Sequence, residues 1–546
     1  MRRDSTRLAN EIFDLLVIGG GITGACIARD AALRGLKVAL VEKNDFAHAT
    51  SAHNSKLIHG GLRYLKNLEF GLVRESLRER RIWQRIAPHL VRPLPFLVPL
   101  YKAGWAARAT LRAGLGLYDI LSYDRGWLDD PDQRLPGHAW LDAKTALACE
   151  PALEGDGFEG AFRYYDAQMY APERLALECL VSATAHDAVC INHVAAESLL
   201  VRNGRVEGAR VADRFSNASY DVRATLTILA AGPWSDLFLQ RAMDRPASHK
   251  LLRSKGIHLV VPAMTRTNAL TVAAKGGHFF ILPWRGHSLL GTTDTAFTLP
   301  PDQVGVSEGD IAGFLDFINA HLPSAHLTRS DVEFFYAGLR PLVDDGTGDT
   351  YGASRRSELI DHGKSDGLDG LFSAVGGKWT TSRELAEKVV DTITAKLGHA
   401  VRPCPTANLR LPGGWIDDFS HFVARNQAAY KDLAVDHLAR LYGNRLHNVL
   451  ELTAGMPQLR ASLCASGDIA AQVIYAVREE MAMTLEDVVM RRTGIGQLGD
   501  PGSAALDSAA DLMAAELGWD STRRSHEIQS LAPHFRTQPE TRMGAT

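Results

Sequence analysis

The sequence predicts an α/β fold, and three observations lead to that prediction. Residues 13–18 (FDLLVI) are apolar and rich in β-forming residues, which is typical of a buried parallel strand. Glycines follow at once, and then come a helix-like segment (25–35) and a second apolar strand (37–42). Helix-like apolar spacing recurs late in the chain, in segments 431–452, 468–490 and 503–517. We therefore expect a Rossmann-like strand–helix–strand unit near the N-terminus and an all-helical region near the C-terminus.

Length and composition limit the class of protein. The chain has 546 residues and a mass of 59.5 kDa, which is too long for one hydrophobic core, so we expect two or three domains. Hydrophobic residues make up 46% and charged residues 23%, and these values exclude a largely disordered chain. The 60 basic and 63 acidic residues give a net charge of −3, which offers no electrostatic footprint for nucleic acid.

The cysteines indicate neither a disulfide scaffold nor a metal centre. None falls in a C-x-x-C pair and no His/Cys cluster has zinc spacing, so we expect reduced, mostly buried thiols and no metal. The six are Cys26, Cys149, Cys179, Cys190, Cys404 and Cys464. The apolar run near the N-terminus is short and ends in glycines, unlike a signal peptide. No stretch approaches the roughly 18 apolar residues that a membrane-spanning helix needs.

The glycines after the first strand form a G-x-G-x-x-G motif at Gly19, Gly21 and Gly24. The first glycine makes the tight turn, the second lets the backbone approach a pyrophosphate, and the third lets helix and strand pack closely. The following helix presents free N–H groups and a partial positive charge to the phosphates. Glu42 ends the second strand, where it can accept hydrogen bonds from ribose hydroxyls. A glycine-rich turn without a ligand is the alternative, but the complete order of elements favours a dinucleotide site.

Two further segments favour FAD over NAD as the dinucleotide. Residues 225–236 read as a buried strand that runs into a small turn containing Gly232, which suits close backbone approach to a cofactor. Residues 371–390 read as a strand, two glycines and a helix that opens at Thr380 or Thr381, a good position to stabilise negative charge on a reduced flavin. Since no second strand–glycine–helix fingerprint follows, we do not expect electrons to leave to a bound nicotinamide.

The chain resembles the FAD-dependent glycerol-3-phosphate dehydrogenases, within the D-amino-acid-oxidase-like flavoproteins, from about residue 12 to about residue 495. The most specific piece is SKLIHGGLRYL, at residues 55–65. Further pieces are KGIHLVVP (255–262), PWRGHSLLGTTDT (283–295), YAGLRPLVDD (336–345), GGKWTT (376–381), LPGG (411–414) and RRT (491–493). The resemblance implies a discontinuous FAD-binding domain, a substrate domain with a large antiparallel sheet, and a helical cap domain. The implied limits are 1–90, 165–250 and 335–400 for the first, 91–164 and 251–334 for the second, and 405–546 for the third.

Oxidising a phosphorylated alcohol requires a grip on the phosphate, and arginine suits this because its planar fork makes paired, charge-assisted hydrogen bonds. By the resemblance, Arg63 and Arg340 bind the phosphate, Tyr64 adds an O–H contact, and Arg355 is a third candidate. The alternative for any single arginine is a surface salt bridge.

The reaction also requires a base for the hydroxyl proton. Imidazole titrates near pH 6.5, so it can accept a proton at physiological pH. We expect His258 to be the base, with His59 as the alternative, and either could instead be a structural histidine. Lys378 is expected to face flavin or substrate oxygens, because a lysine at a helix N-terminus suggests an anion nearby.

The expected cofactor contacts are spread over four segments of the chain. They are Gly19, Gly21, Gly24, Glu42, Lys43, Ser51, Ser55, Lys56, Gly232, Gly377, Lys378 and Thr380.

The resemblance implies oxidation of sn-glycerol 3-phosphate to dihydroxyacetone phosphate, with electrons passed to membrane quinone. Three alternatives remain: an oxidase that uses oxygen, a dehydrogenase for another polyol phosphate such as a four-carbon one, and a non-catalytic flavin-binding protein. The second is suggested by Arg356 and by segment 165–175 (YDAQMYAPERL), which depart from the family pattern.

Residues 85–126 mix basic residues with Phe96, Trp105 and many leucines, as in a stretch that lies in a lipid interface, although an ordinary surface helix pair is the alternative. We expect a cytoplasmic protein bound peripherally to the inner face of the membrane, with its oligomeric state, monomer or homodimer, left open by the sequence.

Overall fold

A computed structural model describes residues 1, 3–274, 277–322, 324–344, 357–398 and 402–539. The strands in these residues are β1 Ile12–Ile18, β2 Val38–Val41, β3 Leu57–Ile58, β4 Val91–Tyr101, β5 Ala139–Asp142, β6 Phe158–Met169, β7 Val189–Ile191, β8 Val194–Arg202, β9 Arg205–Asp213, β10 Ser219–Leu229, β11 Leu251–Pro262, β12 Ala269–Ala274, β13 Gly277–Trp284, β14 His287–Gly291, β15 Thr295–Ala296, β16 Phe334–Val343, β17 Ser357–Asp361 and β18 Leu371–Gly376.

The α-helices in the same residues are α1 Ser5–Asn10, α2 Ile22–Leu33, α3 Phe70–Ile86, α4 Gly104–Leu121, α5 Ala143–Cys149, α6 Pro172–Thr184, α7 Ser235–Met243, α8 Glu308–His321, α9 His362–Ser365, α10 Ser382–Leu397, α11 Phe419–Ala429, α12 Val435–Tyr442, α13 Leu446–Gly455, α14 Ala470–Glu480, α15 Leu485–Asp487, α16 Ser503–Leu517 and α17 Ser521–Ser530.

The first sheet has a parallel centre in the order β18-β10-β1-β2-β7, with β17 antiparallel at one edge. β1 is buried from Leu15 to Ile18, as a strand covered on both faces must be. Helices α2, α6 and α10 pack together beside this sheet. The predicted Rossmann-like unit is therefore confirmed, and α2 begins earlier than the apolar pattern indicated because Gly21 is its N-cap.

The second sheet has ten strands in the described residues and is antiparallel except where β12 runs parallel to β4. Its central pairing is β11 with β16, in register from Leu251 opposite Val343 to Val260 opposite Phe334. The predicted combination of a Rossmann-like half with an antiparallel sheet is confirmed. β16 and the end of β6 pair in this second sheet, although both fall within the limits implied for the FAD-binding domain. The limits of the domains stay a prediction.

The C-terminal region is helical, as predicted, but two of its segments are broken. Segment 431–452 divides into α12 and α13 at Gly443. Segment 468–490 ends its helix at Glu480 because Met481 adopts a left-handed conformation (φ +56°), and a π-helical turn then spans Val488–Arg492. These helices do not form a core of their own: their apolar side chains join clusters that also contain residues of both sheets.

Candidate active site

A cavity of about 900 Å³ opens at the carboxyl ends of the parallel strands, where open α/β sheets place their ligands. Its walls include the ends of β1, β2 and β18, the turn after β10, and part of β16 from the second sheet. The cavity thus runs from the glycine motif to the second sheet, and a long ligand can reach both.

The glycine motif forms one end of the cavity and explains why glycine is needed there. A Cβ on Gly19, whose φ is +115°, would stand 2.5 Å from the Ala230 carbonyl oxygen. A Cβ on Gly24 would stand 1.9 Å from the Gly19 carbonyl oxygen, so α2 packs directly on the turn. A Cβ on Gly21 would stand 3.1 Å from Ser51 Oγ. This backbone cradle at a helix N-terminus fits a pyrophosphate.

Glu42 lies at the wall of the cavity, where the motif places a ribose ligand. Its carboxylate accepts hydrogen bonds from the backbone N–H groups of Gly20 (2.7 Å) and Asn44 (2.9 Å), which fixes its orientation. Lys43 also lines the cavity, but its Nζ is ion-paired with Asp302 at 2.7 Å.

Most of the other expected cofactor contacts line the same cavity. Ser51 Oγ accepts a hydrogen bond from the Ile22 backbone N–H (2.8 Å) in the first turn of α2. The structure brings these residues together with the glycine motif: Ser51, Ser55, Gly232, Gly377, Lys378 and Thr380.

Arg340 occupies the other end of the cavity, on β16. Its guanidinium donates to Ser254 Oγ (3.0 Å), Thr292 Oγ1 (2.8 Å) and the Thr293 carbonyl oxygen (3.1 Å). Gly256 lies beneath it, and a Cβ there would stand 2.4 Å from Arg340 Nη2. The guanidinium is thus held by three neutral acceptors and is also ion-paired with Asp294, whose Oδ2 is 3.7 Å from Nη1.

Lys378 lines the same cavity as Arg340, and burial lowers its pKa to about 7, although Glu75 and other carboxylates oppose the shift. Its Nζ donates to Ser76 Oγ (2.8 Å) and lies 4.1 Å from the centre of the Tyr64 ring. Arg63 flanks the same ring at 5.4 Å. Two predicted site residues, Lys378 and Arg63, therefore flank a third, Tyr64, which itself lines the cavity.

His258 lies one hydrogen bond behind the cavity wall. Its Nε2 is 2.9 Å from Oγ of Ser55, which lines the cavity, and its ring stacks on Tyr336 at 5.0 Å. Burial, and then the charge of Arg340, hold the pKa of His258 well below its ordinary value, so the imidazole is neutral. Gly291 makes room for the ring, since a Cβ there would stand 2.1 Å from His258 Cδ2.

His59, the alternative base, lines the cavity itself. Burial, followed by the charge of Lys378, lowers its pKa to about 3. Its backbone N–H donates to Thr380 Oγ1 (3.2 Å), so the loop that carries it is tied to the start of α10. Either histidine could accept a proton, and the choice between them stays a prediction.

Besides His258, three expected contacts among the described residues do not line the cavity: Gly24, Arg63 and Lys56. Lys56 is 1% exposed and lies behind the wall, with its Nζ 4.7 Å from the Trp284 ring and 5.2 Å from the Tyr336 ring. Its position in the SKLIHGG motif suggested a cofactor contact, but the chain turns inward at this residue (φ +55°). Arg355 and Arg356 lie outside the described residues.

The sequence analysis missed the residues that orient the two cations of the site. Thr292 and Thr293, which seat Arg340, lie in the GTTDT piece and could have been found there. Ser254, which shares that task, immediately precedes the KGIHLVVP piece. Ser76, which accepts from Lys378, lies inside α3 and carries no sequence signal.

Comparison with known proteins defines the class. A sequence model of the FAD dependent oxidoreductase family matches residues 14–392, and one for the C-terminal domain of alpha-glycerophosphate oxidase matches residues 404–524. The chain is an FAD-dependent oxidoreductase, and FAD is its cofactor.

Individual relatives are similar over almost the whole chain. The glycerol-3-phosphate dehydrogenase of Synechocystis sp. is 38% identical over 96% of this chain and 97% of its own length. The aerobic glycerol-3-phosphate dehydrogenase of Staphylococcus aureus is 32% identical over 93% of this chain and 92% of its own length. The crystal structure of the Bacillus halodurans glycerol-3-phosphate dehydrogenase with FAD superposes with a TM-score of 0.77, at 29% identity, covering 97% of this chain and 95% of that one. The chain therefore belongs to the FAD-dependent glycerol-3-phosphate dehydrogenase family.

Proposed function

We propose that the protein oxidises sn-glycerol 3-phosphate to dihydroxyacetone phosphate and passes the electrons to a membrane quinone. The relatives' names support the substrate. The observation that carries the proposal is the guanidinium of Arg340, held by Ser254, Thr292 and Thr293 in the same cavity as Lys378. A preoriented fork of donors in the same cavity as a second cation matches a phosphate dianion.

The protein's groups each supply one part of the reaction. FAD, when bound, supplies a two-electron acceptor for the hydrogen on the carbinol carbon. Arg340 binds the phosphate together with Arg63 and Tyr64, which fixes the carbinol carbon in one orientation. Ser55 receives the hydroxyl proton from the cavity and passes it to Nε2 of His258, which lies within hydrogen-bond distance of Ser55 Oγ.

Substitution of Arg340 tests the phosphate assignment. We expect Arg340→Met to lower kcat/KM for glycerol 3-phosphate by at least about 100-fold, since losing two charge-assisted hydrogen bonds at about 1.5 kcal/mol each corresponds to that factor. Arg340→Lys should be intermediate because it keeps the charge and loses the fork. The measurement is anaerobic loss of the flavin absorption band on mixing with substrate.

Arg329→Met is the control, because Arg329 is a half-exposed arginine paired with Glu308 on the surface. It should behave like the unchanged protein. An unchanged kcat/KM in Arg340→Met would remove the phosphate assignment, and a wild-type flavin that glycerol 3-phosphate does not reduce would remove the substrate. Peroxide formed at the rate of turnover under air would show oxygen, not quinone, to be the acceptor.

The membrane part of the proposal rests on an exposed surface at α4 and the turn after it. Trp105 is 84% exposed, Ile120 69%, and Tyr123 and Trp127 60% each. Arg74 lies 4.4 Å from the Tyr123 ring. Exposed aromatic residues accompanied by arginine are typical of a helix that lies in a lipid interface. Each helix in the described part of the chain is too short or too polar to cross a bilayer. We propose that this α4 surface attaches the protein to the inner face of the cytoplasmic membrane.

Vesicle binding tests the α4 surface. We expect Trp105→Ser with Trp127→Ser to reduce sedimentation with anionic phospholipid vesicles several-fold and to leave turnover with a soluble dye acceptor unchanged. Trp415→Ser is the matched control, since Trp415 is a 57% exposed tryptophan on the C-terminal region. Equal loss of binding in both variants, or no loss in the first, would exclude this surface.

A further inference from the structure

The RRT motif at residues 491–493 has no part in the site described so far, yet it lies in one of the most buried ion clusters of the described chain. Arg492 is 1% exposed and donates from Nη1 and Nη2 to both carboxylate oxygens of Asp45, at 2.7 and 2.8 Å. Arg491 donates from Nε to the same carboxylate at 2.6 Å. The two arginines belong to the π-helical turn of the C-terminal region, whereas Asp45 follows β2 of the first sheet.

Asp45 belongs to a segment that forms much of the cofactor cavity. Within residues 42–55, the cavity is lined by Glu42, Lys43, Asn44, His48, Ala49, Thr50, Ser51, Asn54 and Ser55. Asp45 points the other way, away from the cavity, and is fully buried. Burial alone would raise the pKa of Asp45, but the two guanidiniums hold it below its ordinary value, so the group is a carboxylate. One face of the segment thus lines the cavity, and the other is fastened to the C-terminal region.

The arginines are themselves fixed by further buried groups. Arg492 Nε donates to the Glu480 backbone carbonyl at 3.1 Å, and the Glu480 carboxylate pairs with Arg174 of α6 at 2.6 Å. Arg491 also contacts the buried Asp487 at 3.1 Å. Because these partners lie on α6 and on the C-terminal helices, the cluster joins three parts of the molecule at one point.

Burying these charges costs desolvation free energy, so stability alone does not explain the cluster. A buried ion pair is weak evidence for stability, since apolar residues of the same size often serve as well, whereas removing one partner leaves an uncompensated charge. The directional fork between Arg492 and Asp45 fixes position more closely than apolar packing would. What it fixes is the segment that contacts the cofactor.

We infer that Arg491 and Arg492 are positioning residues for FAD: through Asp45 they hold segment 42–55 against the cofactor, so that the C-terminal region controls how long FAD stays bound. The inference rests on FAD as the cofactor and is independent of the substrate and the electron acceptor.

Release of FAD from the holoenzyme tests this role. Asp45→Asn leaves both guanidiniums facing a neutral amide, and we expect it to raise the FAD dissociation rate at least tenfold. The rate is measured from the rise in flavin fluorescence after the holoenzyme is diluted. Asp124→Asn is a closely matched control, because Asp124 is 2% exposed and also pairs with two arginines, Arg74 at 2.8 Å and Arg81 at 3.1 Å. Since Asp124 does not line the cavity, its variant should release FAD within twofold of the unchanged protein, even if both variants lower the unfolding temperature measured by far-UV circular dichroism.

A milder variant covers the case in which Asp45→Asn does not fold. Arg492→Lys keeps the charge and loses the fork, and we expect it to raise the FAD dissociation rate at least threefold with little change in unfolding temperature. The inference is overturned if the dissociation rate in both Asp45→Asn and Arg492→Lys stays within twofold of the unchanged protein. It is also overturned if Asp124→Asn accelerates FAD release as much as Asp45→Asn, because the effect would then be general destabilisation.

Discussion

Lys378 is a cavity residue whose charge should change within the usual assay range. Its lowered pKa of about 7 means that the ammonium is present below that pH and is lost above it. Since a cation at this position favours the anionic substrate, we expect kcat/KM for glycerol 3-phosphate to fall as pH rises through about 7. The pH profile of kcat/KM reports free-enzyme groups and is the measurement to make.

Lys378→Arg is the informative control, because guanidinium stays protonated at every practical pH. In that variant the decline above pH 7 should disappear. A decline that persists unchanged in Lys378→Arg would assign it to another group.

Individual roles were the hardest part of the site to predict from the sequence. The motif placed Arg340 and Lys378 in the cavity, but it could not show that Ser55 stands between His258 and the cavity. That arrangement depends on the pairing of β11 with β14, where Gly291 faces the ring of His258. Such long-range register is not encoded in a local pattern.

At the scale of elements, the contact between α2 and the glycine turn should be the most sensitive to substitution. Gly24→Ala would place a methyl group 1.9 Å from the Gly19 carbonyl oxygen. The backbone can relieve this clash only if α2 moves. We expect this variant to be purified with less than about a tenth of the normal flavin content, measured by absorbance after denaturation. A methyl group that close requires a backbone shift, and overpacking of this kind costs about 1–3 kcal/mol or more.

Gly71→Ala serves as the comparison, because Gly71 lies in α3 and a Cβ there would meet nothing within 4 Å. It should keep full flavin content and gain up to about 1 kcal/mol from helix propensity. Normal flavin content in Gly24→Ala would show that α2 can move without loss of the cofactor.

The sequence predicted elements well where periodicity and glycine placement agree, as in β1 and α2. It was less successful for segment 85–126, which contains the strand β4 between α3 and α4. β4 contains Pro93, Pro95 and Pro99, and it pairs fully with β6 but only briefly with β12. Because their spacing is even, the N–H groups that these prolines lack would all face one edge of the strand, and an edge with brief pairing tolerates that loss.

On the scale of the whole molecule, the C-terminal region shares its cores with the rest of the chain. Leu438 and Tyr442 belong to the cluster that contains β1 and α2, and Val473 and Met513 belong to one that contains β4. We therefore expect a single unfolding transition, with flavin release and loss of far-UV circular dichroism at the same temperature. Excess FAD should raise the temperatures of both changes together. At 100 times its dissociation constant, FAD should add about 2.7 kcal/mol to the free energy of unfolding.

Two separate transitions, with flavin released several degrees before the helices unfold, would contradict this expectation. The resemblance implies a helical cap domain at 405–546, and the helix-like spacing of this region agrees with it. What it could not show is that the apolar faces of these helices are buried against both sheets.

The order of strands in the first sheet has a consequence for biosynthesis. β1 pairs with β10, and β10 with β18, so the nucleotide fold is completed by strands that leave the ribosome more than 200 and more than 350 residues after β1. The arginines that fasten Asp45 emerge later still, 446 and 447 positions after it. The nascent chain can therefore bind FAD only when synthesis is almost finished. Until then its first glycine turn stays exposed.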